Sequence, residues 1–155
     1  MKKIKSSELI ALLEKPVFTA AEARSLGISP SRLSYYVKIN LIERVAHGVY
    51  RGVNAEVDAD FQWEELIVTA NSVPNGVVCL ISALAIYEMT DEIPRKIWLA
   101  IPHATSVPKR ENTKFIRMRD TETGSTKYML GNEQIQIFSR ERTIIDAFRY
   151  LSKEI

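Results

Sequence analysis

Hydrophobic positions in the first fifty residues recur at helical spacing, break, recur, and then give way to alternation. Leu9, Ile10, Leu12 and Leu13 form an apolar stripe that predicts a helix from Ser6 or Ser7 to Glu14, with Pro16 just past its end. Thr19-Ala20-Ala21-Glu22 has the form of a capping box, in which hydroxyl and carboxylate satisfy opposite orphan amides. A second helix over residues 20–26 should stop at Gly27, because glycine takes the left-handed conformation of a tight turn without strain. Ser29 caps a third helix, Pro30 fills its first position at no cost in hydrogen bonding, and Asn40 ends it. Residues 41–45 and 49–51 then read as strands around Ala46-His47-Gly48, a hairpin-sized loop. Helix, helix, glycine turn, helix and hairpin is the order of a winged helix-turn-helix, whose third helix serves to enter a DNA major groove.

The rest of the chain mixes helical and strand-like stretches. Residues 54–60 are short, polar and acidic and mark the expected boundary between a winged helix (1–53) and a small antiparallel α/β domain (54–155). The fold class expected is therefore α+β. Residues 61–72 read as a helix ended by Pro74-Asn75-Gly76, 77–80 as a short buried strand and 82–89 as a helix. Ile97-Trp98-Leu99-Ala100-Ile101 is continuously apolar, which suits an interior strand. Residues 114–119 alternate, with Phe115, Arg117 and Arg119 opposite Ile116 and Met118. Residues 128–130 and 135–138 flank Gly131-Asn132 as a second hairpin, and Ser139 caps a last helix with Ile144, Ile145, Phe148 and Leu151 on its expected buried side.

Charge sharpens this division. Residues 1–53 carry nine Lys/Arg and four Glu, a net +5, whereas residues 54–155 carry twelve basic and fifteen acidic residues, a net −3. A basic head on an acidic body suits a polyanionic partner for the head alone. No apolar run reaches the roughly 18 residues of a membrane span, and Met1-Lys2-Lys3-Ile4-Lys5 leads into no signal-peptide core, so a cytoplasmic protein is expected. The single cysteine, Cys79, excludes an internal disulfide and reads as a buried small hydrophobe in Val77-Val78-Cys79-Leu80-Ile81.

On the third helix Leu33 and Val37 should face the core, with Tyr36 beside them. Ser31, Tyr35 and Lys38 then share the outward face, flanked by Arg32 and Ser34. Arg32 can address guanine or phosphate, Ser29, Ser31 and Tyr35 can bond phosphates, and the helix N-terminus favours an anion. Arg44, His47 and Arg51 are the wing candidates, with protonation of His47 strengthening a phosphate contact. The alternative for the same face is a solvated surface on a module that binds a protein.

His103 follows a strand end, but no histidine, cysteine or acidic pair nearby in sequence completes a catalytic or metal-binding set. Lys109, Arg110, Lys114, Arg117 and Arg119, offset by Glu111, form a second basic cluster read as a solvated strand face. Phosphate-binding glycine loops, Gly-x-Ser-x-Gly elbows and His-Glu-x-x-His helices do not occur. No enzyme, cofactor or metal is expected.

Phe18-Thr19-Ala20-Ala21-Glu22-Ala23, Gly27-Ile28-Ser29, Leu41-Ile42-Glu43-Arg44-Val45 and Gly48-Val49-Tyr50-Arg51 stand in the order and spacing of a known winged helix. Ser82-Ala83-Leu84, the run from Pro94 through Pro102, and Ser139-Arg140-Glu141-Arg142-Thr143-Ile144-Ile145-Asp146 follow suit. Together they make the chain resemble the antitoxin component of abortive-infection E (AbiEi-like, type IV) toxin–antitoxin systems. The resemblance implies a repressor of its own operon that binds operator DNA. It also implies that the protein counters a nucleotidyltransferase-type toxin, without necessarily forming a stable complex. This sequence has His47 where the family usually has arginine before Gly-Val-Tyr. Cys79, Leu80 and Tyr87 stand where polar residues and a histidine are common. Family members usually continue after Asp146 with a further helical segment linked to antitoxin activity, so a C-terminal truncation at Ile155 is expected to spare DNA binding and weaken toxin neutralisation.

Overall fold

Thr19 and Ser29 start helices because their hydroxyls satisfy backbone amides that nothing else would pair. In the computed structural model, which describes residues 5–107 and 109–154, Thr19 Oγ1 accepts the Glu22 N–H at 3.1 Å and Ser29 Oγ the Arg32 N–H at 3.2 Å. The chain divides into two compact units, Met1–Asp58 and Ala59–Ile155, with the division inside the acidic stretch. Lys2 and Lys3 of the basic head, and Ile155, lie outside the described residues.

The first unit runs α1 (Ser6–Glu14), β1 (Phe18–Thr19), α2 (Ala20–Ser25), α3 (Pro30–Lys38), β2 (Ile42–Ala46) and β3 (Val49–Gly52), a winged helix. Only half of the expected capping box forms, because the Glu22 carboxylate pairs with Lys15 Nζ. Strand β1 was not legible: two residues are too few to show alternation. It pairs antiparallel with β3, Phe18 opposite Tyr50, and makes a three-stranded sheet in the order β1-β3-β2. Gly27 (φ +90°) makes the turn between α2 and α3, and Gly48 (φ +68°) closes the wing. Leu12, Phe18, Ala23, Ile28, Leu33 and Ile42 are buried as one core, with Phe18 and Tyr50 stacked at 6.0 Å between ring centroids. Ile10, expected in the apolar stripe of α1, is instead 57% exposed.

Gly52 closes β3 against α1. A Cβ there would lie 2.4 Å from the Leu13 carbonyl oxygen, so any side chain must displace backbone. We expect Gly52→Ala to destabilise this unit by about 1–3 kcal/mol, the usual cost of forcing volume into a packed site. The midpoint of thermal unfolding would report it; an unchanged midpoint would mean that α1 yields freely.

The second unit follows a 3₁₀ turn (Phe61–Trp63) with α4 (Glu64–Ser72), β4 (Val77–Val78), α5 (Leu80–Ile86), β5 (Ile97–Pro102), β6 (Thr113–Met118), β7 (Ser125–Leu130), β8 (Glu133–Phe138) and α6 (Arg140–Glu154). The sheet order is β6-β5-β4-β8-β7. The expected antiparallel pairing holds for β4–β5 and β7–β8, whereas β5–β6 and β4–β8 run parallel, which makes the sheet mixed. A parallel β5–β6 pair needs a crossover that a hairpin turn cannot supply. The strand expected to reach residue 80 ends at Val78, and α5 stops at Ile86, where the sequence reading ran to Met89. Cys79 is fully buried, and burial together with the nearby Asp146 carboxylate pushes its thiol far up.

Helix α6 corrects an expectation. Ile144, Ile145 and Phe148 are 45%, 60% and 85% exposed, while Thr143 and Asp146 are buried. Of the four apolar residues expected on the buried side, Leu151 does pack against the core, beside Tyr150, and the inward face also carries the polar Thr143 and Asp146. Thr143 Oγ1 donates to the Phe138 carbonyl, and Asp146 receives the Arg142 guanidinium at 3.1 Å. Periodicity locates a stripe but cannot tell which of its members the tertiary structure covers.

Candidate nucleic-acid interface

Helix α3 begins with two residues that prepare it for its setting: the Ser29 hydroxyl caps it and Pro30 presets its first φ. Leu33 is buried, and Tyr36 and Val37 pack partly against the same core. That anchoring leaves Ser31, Arg32, Ser34, Tyr35 and Lys38 exposed, with Tyr35 57% accessible. Among the described residues the side chains of Ser31, Arg32 and Lys38 make no hydrogen bond or ion pair, and Tyr35 makes only a ring contact with Tyr36, at 6.1 Å. Asn40 adopts φ +60°, which ends the helix and turns the chain into β2. The face is thus a cluster of uncommitted donors on a rigid element, the arrangement that phosphate and base-edge contacts require.

The wing is less uniform. Arg44 and His47 are joined at its tip: Arg44 Nη2 lies 2.8 Å from His47 Nδ1, and Arg44 Nε donates to the Ala46 carbonyl at 3.4 Å. Donation from arginine requires His47 Nδ1 to carry no proton, so this bond and a protonated His47 exclude one another. A register irregularity between Arg44 and Ala46 bends the strand just before the tip. Arg51 is held on the other side of the hairpin, opposite Glu43 in the register. Its Nη2 donates to the Ala55 carbonyl at 2.8 Å, and its Nε lies 3.4 Å from Glu43 Oε1, an ion pair without a hydrogen bond. Arg51 is therefore a strut of the wing base, while Arg44 points its charge at the tip.

Arg24 was not among the sequence candidates. It lies in the last turn of α2, exposed and unpaired among the described residues, on the element that crosses the backbone in helix-turn-helix complexes. The signal available in the sequence was its place three residues before Gly27, in the turn that leads to α3.

In the basic cluster of the second unit, Arg110, Lys114 and Arg117 each have their own contact. The Arg110 guanidinium donates to Ser72 Oγ at 2.6 Å, Lys114 lies over the Trp98 ring at 4.9 Å, and Arg117 donates to the His103 and Thr105 carbonyls. His103 sits on an exposed turn after β5, and among the described residues no three His, Cys, Asp or Glu side chains converge on a metal position. No described helix is long and apolar enough to cross a membrane.

Residues 7–51 match the model of a protein family described as transcriptional regulator, AbiEi antitoxin. The match spans the winged helix from α1 to the wing and bears out the resemblance read from the sequence over that part of the chain. The family so matched is a regulatory antitoxin family and not an enzyme family. No curated protein matches the chain.

Proposed function

From a winged helix that matches the AbiEi antitoxin regulators, we propose that this chain is a sequence-specific DNA-binding repressor that autoregulates its own toxin–antitoxin operon. The observation that carries the reading is the outward face of α3, where Ser31, Arg32, Tyr35 and Lys38 stand exposed on a helix anchored by Leu33. Arg32, one turn from the N-terminus, suits a guanine edge; Ser31, Lys38 and Arg44 suit phosphates. Through the toxin the protein has a second, functional partner, as the antitoxin family implies.

Fluorescence anisotropy with the DNA upstream of its own gene and a shuffled duplex tests this. Tight binding to the upstream DNA alone is expected. Arg32→Ala should then cost about 1–3 kcal/mol and relax preference at one base position if Arg32 reads a base. A uniform loss on both duplexes would assign it to phosphate, and unchanged affinity would remove it from the interface. Binding to neither duplex would replace the reading with a protein-binding module.

A further inference from the structure

Strands β5 and β6 run parallel, so their carboxyl ends, Pro102 and Met118, lie side by side on one edge of the sheet. Ligands of open sheets with parallel strands gather at such ends. Here a cavity of about 480 Å³ opens, walled by His103 after β5, Arg117 and Arg119 at the end of β6, and Arg142, Arg149 and Tyr150 from α6. It is within the size range of small-ligand pockets.

Its charge is one-sided, and the arginines divide into two kinds. Arg142 is committed: it donates to Asp146 at 3.1 Å and to the Thr123 and Asp120 carbonyls. Arg117 donates through one nitrogen to the His103 and Thr105 carbonyls, which fixes its guanidinium at the rim. Arg119 and Arg149 are exposed and, among the described residues, have neither hydrogen bond nor ion pair. The carboxylate among the lining residues, Asp120, is held by its own loop and pairs at 4.0 Å with the already committed Arg142. The Thr123 hydroxyl and the backbone N–H groups of Thr123 and Glu122 hold it, at 3.0 and 2.9 Å for the backbone bonds, and keep its carboxyl down to about 2. Two free guanidinium forks from different elements, a third pinned at the rim and a tyrosine ring form a receptor for linked phosphates beside a flat group. Arginine binds phosphate oxygens bidentately, and a single inorganic phosphate would leave most of this volume empty.

We propose that this cavity binds a small polyphosphate ligand of nucleoside di- or triphosphate size. The site lies wholly in the second unit and does not depend on the DNA-binding reading.

Isothermal titration calorimetry of the full chain with pyrophosphate, ATP and adenosine tests it. Pyrophosphate and ATP should bind with one site per chain and adenosine should not. R119Q/R149Q should weaken both ligands by about tenfold or more, the loss expected for charge-assisted hydrogen bonds. Because both arginines are exposed and unpaired, the variant should keep the circular dichroism spectrum of the parent. R119K/R149K should recover part of the affinity, since charge returns without the bidentate fork. Absence of binding heat with pyrophosphate and ATP overturns the proposal, as does equal affinity for adenosine or unchanged affinity in R119Q/R149Q. If R119Q/R149Q weakens only operator DNA, the arginines serve the nucleic-acid backbone and the small-ligand site is refuted.

Discussion

Arg142→Ala is expected to destabilise the second unit by about 3–5 kcal/mol, the cost of leaving a buried charge without its partner. Arg142 is 16% and Asp146 4% exposed at the side chain, and they are one helical turn apart on the inward face of α6. The guanidinium also donates to the Thr123 and Asp120 carbonyls and lies 3.8 Å from the centre of the Phe138 ring. One side chain thus ties α6 to the loop between β6 and β7 and to the end of β8. Truncation would release two solvent-exposed carbonyls, which water can satisfy, and would leave the buried Asp146 carboxylate without its partner, which costs more than the bond itself contributes. The double variant R142A/D146N should regain part of the loss, because the stranded charge is gone. Both tryptophans, Trp63 and Trp98, lie in the second unit, so urea unfolding followed by tryptophan fluorescence reads that unit alone. A loss below about 1 kcal/mol would mean that solvent reaches Asp146 and that the network is worth no more than a surface pair.

The operator affinity is expected to collapse with salt. If Arg24, Arg32, Lys38 and Arg44 each meet one phosphate, the slope of log affinity against log salt should be about −3.6, or a ~150-fold loss between about 50 and 200 mM. Lys38→Ala should reduce the slope by about one, because one fewer counterion is released. Arg51→Ala should leave the slope unchanged and lower stability instead, since its guanidinium is occupied by Glu43 and the Ala55 carbonyl. Anisotropy titrations at four or five salt concentrations separate these outcomes. A flat salt dependence would rule out phosphate contacts by these four cations and would favour a protein partner. An equal decrease for Arg51→Ala and Lys38→Ala would return Arg51 to the interface.

Local chemistry made the first unit legible. Thr19, Gly27, Ser29, Pro30, Asn40 and Gly48 each act within a few residues of themselves, by capping, presetting φ or accepting a positive φ, and the structure uses all six in these ways. The anchoring of α3 by Leu33, with Tyr36 and Val37 beside it, follows from helical spacing alone, and so does the face left outside. For the same reason the order of elements in the second unit was legible, although β4 ended two residues early and α5 three.

What the chain could not declare locally was decided by contacts distant in sequence. Strand β1 exists because Phe18 finds Tyr50, and a two-residue strand leaves no pattern of its own. The parallel pairing of β5 with β6 depends on how the chain returns between them, which no periodicity encodes. Arg44 and Arg51 look equivalent in sequence, yet register gives one to the tip and the other to Glu43. On α6 the apolar stripe was legible, but of its members Leu151 packs inward while Ile144, Ile145 and Phe148 stay exposed. Periodicity specifies that a helix has faces; only the partners brought to it by the rest of the fold, here the carbonyls that engage Arg142 and Thr143, decide which face turns inward.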